Sequence, residues 1–258
     1  MSDISREAIL LAAGGRAILL QIAVPGIGHG VARHSDFDND PLRRLHGTLT
    51  YVYALATGTD DDIAAVRRAV NRAHAPVRSA ADADPAYTAM DPQLQLWVAA
   101  TLYDSAMVMY ERVYGPLPPD DADAIYAEYA ILGTALQMPA GLWPVDRAAF
   151  RVYWDARVAR LSVDEAVLGV QREVFFPRNV PAWIRVLMPL VRFATVGLLP
   201  ESVRTLYDLR WTPGRQGRFD RLLRVTAAVY PRLPRLLRHA PQRFYLRRLR
   251  ARRPDRPD

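Results

Sequence analysis

Apolar side chains recur along this chain at spacings of three and four, and no stretch shows the alternation that a half-buried strand needs. That pattern confines the fold to helices, and the chain marks where they start and stop. Asp40-Pro41 and Asp91-Pro92 each set a capping carboxylate before a proline at the first helical position. The first pair opens a helix that reaches about Thr57 and stops at Gly58. Thr59 and Asp60 then start a helix over 60–75. The second pair opens a long helix to about Tyr114, stopped by Gly115-Pro116. Helices are also expected over 4–23, with a bend or break at Gly14-Gly15, and over 119–137, 146–160, 163–174, 181–198 and 215–229. Gly26–Asn39 is glycine-rich and polar, and reads as an irregular turn with at most one short helix. No fixed-period repeat and no long linker is present. The expected architecture is therefore all-α: a single-domain multi-helix bundle over 1–230, with residues 231–258 as an arginine-rich tail.

Composition narrows the chemistry. A chain of 258 residues, half of them hydrophobic, can bury a large core. It has no cysteine, which excludes disulfides, thiolate-bound zinc, iron–sulfur clusters and a thiolate heme ligand. All 34 basic residues are arginine, so a Schiff-base or P-loop lysine is excluded too. The positive charge is concentrated at one end: residues 202–258 hold sixteen arginines against four aspartates, while the rest of the chain is net acidic. The tail interleaves its arginines with Leu236, Leu237, Phe244, Tyr245 and Leu246. It reads as a partly helical, solvated end able to touch anionic lipid. No nucleic-acid motif accompanies it, so no nucleic-acid partner is expected. The N-terminus lacks a signal peptide, and no segment offers eighteen uncharged apolar residues. The expected location is the cytoplasm, with peripheral membrane contact through the C-terminus.

Several residues stand out against the apolar background. Ile63, Val70 and His74 share one face of helix 60–75, with Val66 close by, so His74 is expected to face the core near a helix end. An imidazole held there can bind a metal or a heme iron, or be an ordinary core histidine satisfied by hydrogen bonds. Arg67 lies one heptad before His74 on the same face, which suggests an anionic group inside, and a propionate would serve. Arg44, Thr48 and Tyr51 form a polar stripe at i, i+4, i+7 on an otherwise apolar helix, either the polar wall of a pocket with Gly47 leaving room for a ligand or an ordinary solvated or capping face. His29, His34, Asp36 and Asp38 offer a loose cluster of metal-ligand types, or simply solvated loop residues. Asp104 sits in an apolar helical stretch and needs a partner, for which Arg44, Arg72 or a histidine are candidates; a structural ion pair is the other reading.

With these residues in view, the chain resembles the latex-clearing-protein (rubber oxygenase) family, which includes the MpaB-type oxygenases. The blocks that carry the likeness are His34-Ser35-Asp36-Phe37, Asp40-Pro41-Leu42-Arg43-Arg44 with Thr48, and Tyr51-Val52-Tyr53-Ala54. They continue with Val70-Asn71-Arg72-Ala73-His74-Ala75-Pro76-Val77, Asp91-Pro92 with Leu96-Trp97-Val98, and Asp104-Ser105. The resemblance implies a globin-like core holding heme b. It implies His74 as the iron ligand and Arg44 and Thr48 as polar residues on the other side of the heme; Tyr51, Arg67 and Arg72 are further candidates for cofactor binding. His46, Arg44, Thr48 and Asp104 are the candidate catalytic groups, with His46 or His34 moving protons. Gly47 falls where rubber-cleaving members carry a lysine, Val24-Pro25 stands where many relatives have His-Pro, and no distal glutamate can be placed. These departures count against cleavage of polyisoprene itself. The expected function is that of a heme-dependent oxygenase using dioxygen on a hydrophobic, isoprenoid or lipid, substrate. The alternatives are a heme carrier or sensor, and a heme-free helical protein whose basic tail binds membrane.

Overall fold

The computed structural model describes residues 2–34 and 41–252, and every regular element in them is a helix. One single-turn helix, α1 (Ser2–Ser5), and a 3-10 segment (Ala8–Ala13) lead into α2 (Gly14–Ile22), α3 (Pro25–His34), α4 (Pro41–Thr57) and α5 (Asp60–His74). Then come α6 (Pro92–Tyr114), α7 (Pro119–Tyr129), α8 (Ile131–Thr134), α9 (Arg147–Val158), α10 (Glu165–Phe175) and α11 (Ala182–Leu198). The chain closes with α12 (Glu201–Leu206), α13 (Pro213–Val229), α14 (Arg235–Arg238) and α15 (Ala240–Ala251). The one β-type pairing among the described residues is an isolated antiparallel bridge between Arg78 and Thr88.

The start and stop signals operate as local chemistry requires. Thr59 accepts from the Asp62 amide while the Asp62 carboxylate accepts from the Thr59 amide, a complete capping box at the head of α5. Asp91 caps α6 through the Gln93 amide at 2.7 Å, and Gly115 ends that helix at φ 87°, where a side chain would be strained. The start signal assigned to Asp40 lies outside the described residues. The break expected at Gly14-Gly15 is present as the junction between the 3-10 segment and α2. Helix 119–137 is instead two helices, because the chain turns at Ala130.

The glycine-rich segment after residue 25 is a ten-residue helix, α3, rather than an irregular turn. Its glycines serve close packing. A Cβ on Gly28 would lie 2.4 Å from the Ile22 carbonyl oxygen and 2.6 Å from a Val167 methyl, and one on Gly30 would lie 3.3 Å from the Tyr87 ring. Helix propensity is thus overridden by the fit of α3 against α2 and α10. Gly28→Ala is expected to destabilise the protein by about 1–3 kcal/mol, since backbone on one side and a core valine on the other must give. Urea denaturation of the purified variant checks this.

The core centres on α6, which runs through the middle of the bundle. Trp97, Thr101 and Ala100 are wholly buried on it, against Leu19, Leu20 and Ile22 of α2. A cage of aromatic rings, with Tyr103 edge-on to Tyr126, Tyr129 and Phe150, fills the space toward α7 and α9.

The arginine-rich end is docked rather than solvated as far as residue 252. Tyr245 and Leu246 of α15 are buried in the main core, and the Arg250 guanidinium reaches the wholly buried Asp62 carboxylate at 2.8 Å. Gln242 donates to Thr57 at 2.9 Å. At the other end, buried Glu7 accepts from Arg238 (2.6 Å), Tyr114 (2.9 Å) and Tyr230 (3.0 Å), and contacts His239 at 3.2 Å. Burial alone would raise the Glu7 pKa, but hydrogen bonds from Tyr114, His239 and Tyr230 and the Arg238 charge together hold it below the ordinary 4.5. A depressed carboxylate contributes stability that is full above its unfolded value and is lost as pH falls through the folded one. Acidification below pH 4.5 is therefore expected to loosen the C-terminal helices from the N-terminus, seen as faster amide exchange in 231–252.

Candidate functional site

Helix α4 divides its side chains between two tasks. At about 100° per residue, Arg44, Gly47, Thr48 and Tyr51 lie on one face, and His46, Thr50, Tyr53 and Thr57 on the opposite one. The second face receives the C-terminal helix. His46 Nδ1 lies 2.7 Å from the Tyr245 hydroxyl, and the Tyr53 and Tyr245 rings stack at 5.8 Å. His46, expected as a catalytic proton carrier, is thus committed to holding α15 and stands away from the Arg44 face.

The first face meets α5. The Arg44 charge is close enough to His74 to disfavour its protonation, and the Arg67 charge close enough to the Tyr51 hydroxyl to favour its ionised form. Burial is the larger influence on both: it lowers the His74 pKa below the ordinary 6.5 and raises that of Tyr51. The Tyr51 hydroxyl also donates to the Leu132 carbonyl at 2.9 Å, so it serves as a fixed hydrogen-bond donor rather than a proton source. Arg44 presents exposed surface, yet the groups packed around it lower its pKa from the ordinary guanidinium value. A Cβ added at Gly47 would meet nothing within 4 Å, so there is open space beside it.

His74 itself is half-buried at the last residue of α5, and its Nδ1 is buried with no hydrogen-bond partner. Native interiors rarely leave a ring nitrogen so, because an unpaired buried polar atom costs about 1–3 kcal/mol. The helix end that carries it is firmly held. Asn71, one turn earlier, accepts from the Gln137 amide at 2.9 Å, and Gln137 exchanges hydrogen bonds with Gln95 of α6 at 2.6 and 2.9 Å. Beyond the helix, Val77 returns its amide to the His74 carbonyl at 2.9 Å, and the Arg78–Thr88 bridge closes the following loop. Asn71, Gln95 and Gln137 are positioning residues that sequence spacing did not bring together. The only sequence sign was an amide side chain three residues before the histidine.

Other expected site residues fall elsewhere. Asp104 is buried against Arg16, at 2.5 Å, and the same guanidinium donates to Ser105 at 2.7 Å and to the Leu198 carbonyl at 2.9 Å. The pair joins α2, α6 and α11, as the structural reading expects, and the partner is none of those expected. Burial pulls the Arg16 pKa below the ordinary guanidinium value, and Asp104 opposes that shift. Arg72 is exposed, on the side of α5 opposite His74, so the structure does not bring the two together. His29 pairs with Asp164, the cap of α10, at 2.6 Å, and His34 packs edge-on to Tyr87. Asp36 and Asp38 lie outside the described residues. Among the described residues no group of three histidines or carboxylates could hold a metal. Two surface hollows, of about 440 Å³ along α15 and 280 Å³ beside Trp143, lie apart from His74.

The donors around His74 suit heme better than a bare metal ion. They offer one imidazole whose protonation burial disfavours, with an orphaned nitrogen, near the charge of Arg44. A bare ion needs three or more such donors, whereas a porphyrin supplies four nitrogens itself and asks for one axial ligand and cations for its carboxylates. Fold and site together define an all-helical protein with one half-buried histidine, its Nδ1 unpaired, near the charge of Arg44. The chain belongs to the family described as ER-bound oxygenase mpaB/B'/rubber oxygenase, catalytic domain, which matches residues 2–228. It is also 41% identical over 217 residues to uncharacterized proteins of Mycobacterium tuberculosis and Mycobacterium bovis, covering 81% of this chain and 84% of each of them. No solved structure matches.

Proposed function

We propose that this protein is a heme b-dependent oxygenase that acts with dioxygen on a hydrophobic substrate of the lipid or isoprenoid class. The observation that carries the reading is the partnerless buried nitrogen of His74 beside Arg44, in a chain of an oxygenase catalytic-domain family. His74 would hold the iron, with Arg44 and Arg67 as the cations nearest the heme's carboxylates. Heme b supplies, when bound, the redox chemistry that activates dioxygen.

The side chains have separate work. Arg44 keeps a fixed positive charge at the cleft wall, where partial desolvation strengthens its pull on any negative charge that develops. Thr48, one turn on, presents a hydroxyl that would donate or accept a hydrogen bond on the same face. Tyr51 braces the wall through Leu132, and Asn71 with Gln137 fixes the orientation of the helix end under the ring. Gly47 leaves the wall without a side chain, so a bulky apolar molecule can approach. The globin-like arrangement of the heme pocket belongs to this proposal.

Oxygen uptake by heme-loaded protein, measured with unsaturated lipids and terpenoids, tests it. Uptake that depends on substrate and falls at least about tenfold in Arg44→Leu is the expected result, since loss of one aligned charge-stabilising donor costs about 10²–10³ in rate in comparable sites. Heme capture with no oxygen uptake on any such substrate would favour a heme carrier or sensor instead.

A further inference from the structure

We infer that the outward face of α15, with α14 beside it, docks on the anionic surface of a lipid bilayer. This does not rest on the heme reading, and it concerns a segment beyond residues 2–228, which match the oxygenase family. Helical phase separates the two sides of α15. At about 100° per residue, Gln242, Tyr245, Leu246 and Leu249 point one way. Tyr245 and Leu246 are buried in the main core on that side, and Gln242 donates to Thr57. Arg243, Phe244, Arg247 and Arg248 point the other way, so Phe244 has Arg247 on one side of it and Arg248 on the other.

These four residues, with Ala240 and Ala251 at the ends, line an open hollow of about 440 Å³ to which no other helix contributes. Phe244 is 53% exposed there. Arg243 donates to the Leu236 carbonyl, which seats α14 at the edge of the same face, and Leu236 and Leu237 of that helix are 72% and 61% exposed. Among the described residues Arg247 and Arg248 have no ion-pair partner, whereas Glu7 and Asp62 hold Arg238 and Arg250. Cationic and apolar groups thus share one exposed surface, and the helix that carries them is anchored from behind.

Charge selects the occupant. From Arg221 to Arg252 the chain has ten arginines and no acidic residue. A folded protein partner is brought into register by charges of both signs, and this face offers one sign; a second copy would set arginine against arginine. A nucleic acid would satisfy the arginines and leave Leu236 and Leu237 in water. An anionic bilayer engages both kinds of group: its headgroups take the guanidinium charges, and the leucines and Phe244 enter the acyl boundary. It also needs no register. No single helix among the described residues is long and apolar enough to cross a membrane, so the contact lies on the surface.

The test is flotation of the full-length protein with phosphatidylglycerol-containing and pure phosphatidylcholine vesicles at low and high salt. Wild type is expected to float with the anionic vesicles and not with the neutral ones, less so at high salt. Arg247→Gln/Arg248→Gln should bind at least about tenfold more weakly, since each arginine at an anionic leaflet is worth about fivefold in affinity. Its melting curve should not change, because neither arginine holds an ion pair in the fold. Leu236→Ser should also weaken binding while keeping the salt dependence, and it gives an independent readout should the arginine variant melt early. No flotation of folded wild type overturns the inference. So does equal flotation with neutral vesicles, or binding that survives the arginine changes in a folded variant. A DNA duplex still bound at a salt concentration where the anionic vesicles no longer float the protein also overturns it, making the face a nucleic-acid site.

Discussion

His74→Ala protein is expected to fold and to lose heme affinity by more than about 100-fold, because changes to groups merely supporting a ligand already cost 10–100-fold. Hemin titration followed by absorbance measures it. The apo-protein should not suffer: removing a ring whose buried nitrogen has no partner relieves a polar cost while opening a small space beside a cleft. Alanine at 74 should also flatten part of the acid response. The folded His74 titrates below 6.5, so the unfolded chain binds more protons between the two values, and stability falls as pH drops through that window. Heme release from wild type should follow the same direction, as protonation competes with the iron. A variant that keeps wild-type heme affinity would show that another residue holds the iron.

Asp104→Ala should have the largest effect on stability. The side chains of Arg16 and Asp104 are 4% and 9% exposed, so the change leaves a guanidinium charge unpaired inside the protein. Such losses cost about 3–5 kcal/mol. For a domain of this size each kcal/mol lowers the melting temperature by about 2–4 °C, which makes a fall of roughly 10 °C. Arg16→Met/Asp104→Leu should recover most of it, short of the hydrogen bond to the Leu198 carbonyl, worth about 1 kcal/mol. Heme affinity at a temperature where Asp104→Ala is folded should stay near wild type. A variant of normal stability that loses turnover would return Asp104 to the active site.

The contrast between these two residues shows what the sequence could and could not say. Helix ends were readable because their signals are local: Thr59 and Asp62 cap one helix and Gly115 stops another using atoms a few residues apart. The candidate site on α4 and α5 was readable in part, since Arg44, Thr48 and Tyr51 share a face by spacing alone and His74 faces inward by the same arithmetic. Partners across the fold were not. Arg16 meets Asp104 across 88 residues and His46 meets Tyr245 across 199, and no periodicity encodes either. His46 also sits two residues from Arg44, close in sequence and on opposite sides of the helix, so proximity along the chain misled where helical phase would have separated them. Arg72 and His74 repeat that geometry. The glycines of α3 look like turn formers in the sequence, whereas Ile22, Val167 and Tyr87 pack too closely against them for a side chain. The C-terminal arginines read as a solvated run because composition hides Tyr245 and Leu246, which seat α15 in the core.

The most direct test of the central claim is a visible absorption spectrum of the purified full-length protein titrated with hemin, before and after reduction. The account predicts saturation at one heme per chain, a Soret band distinct from free hemin, and a shift of that band on reduction. A titration that leaves only the spectrum of free hemin, with the protein folded throughout, would contradict it.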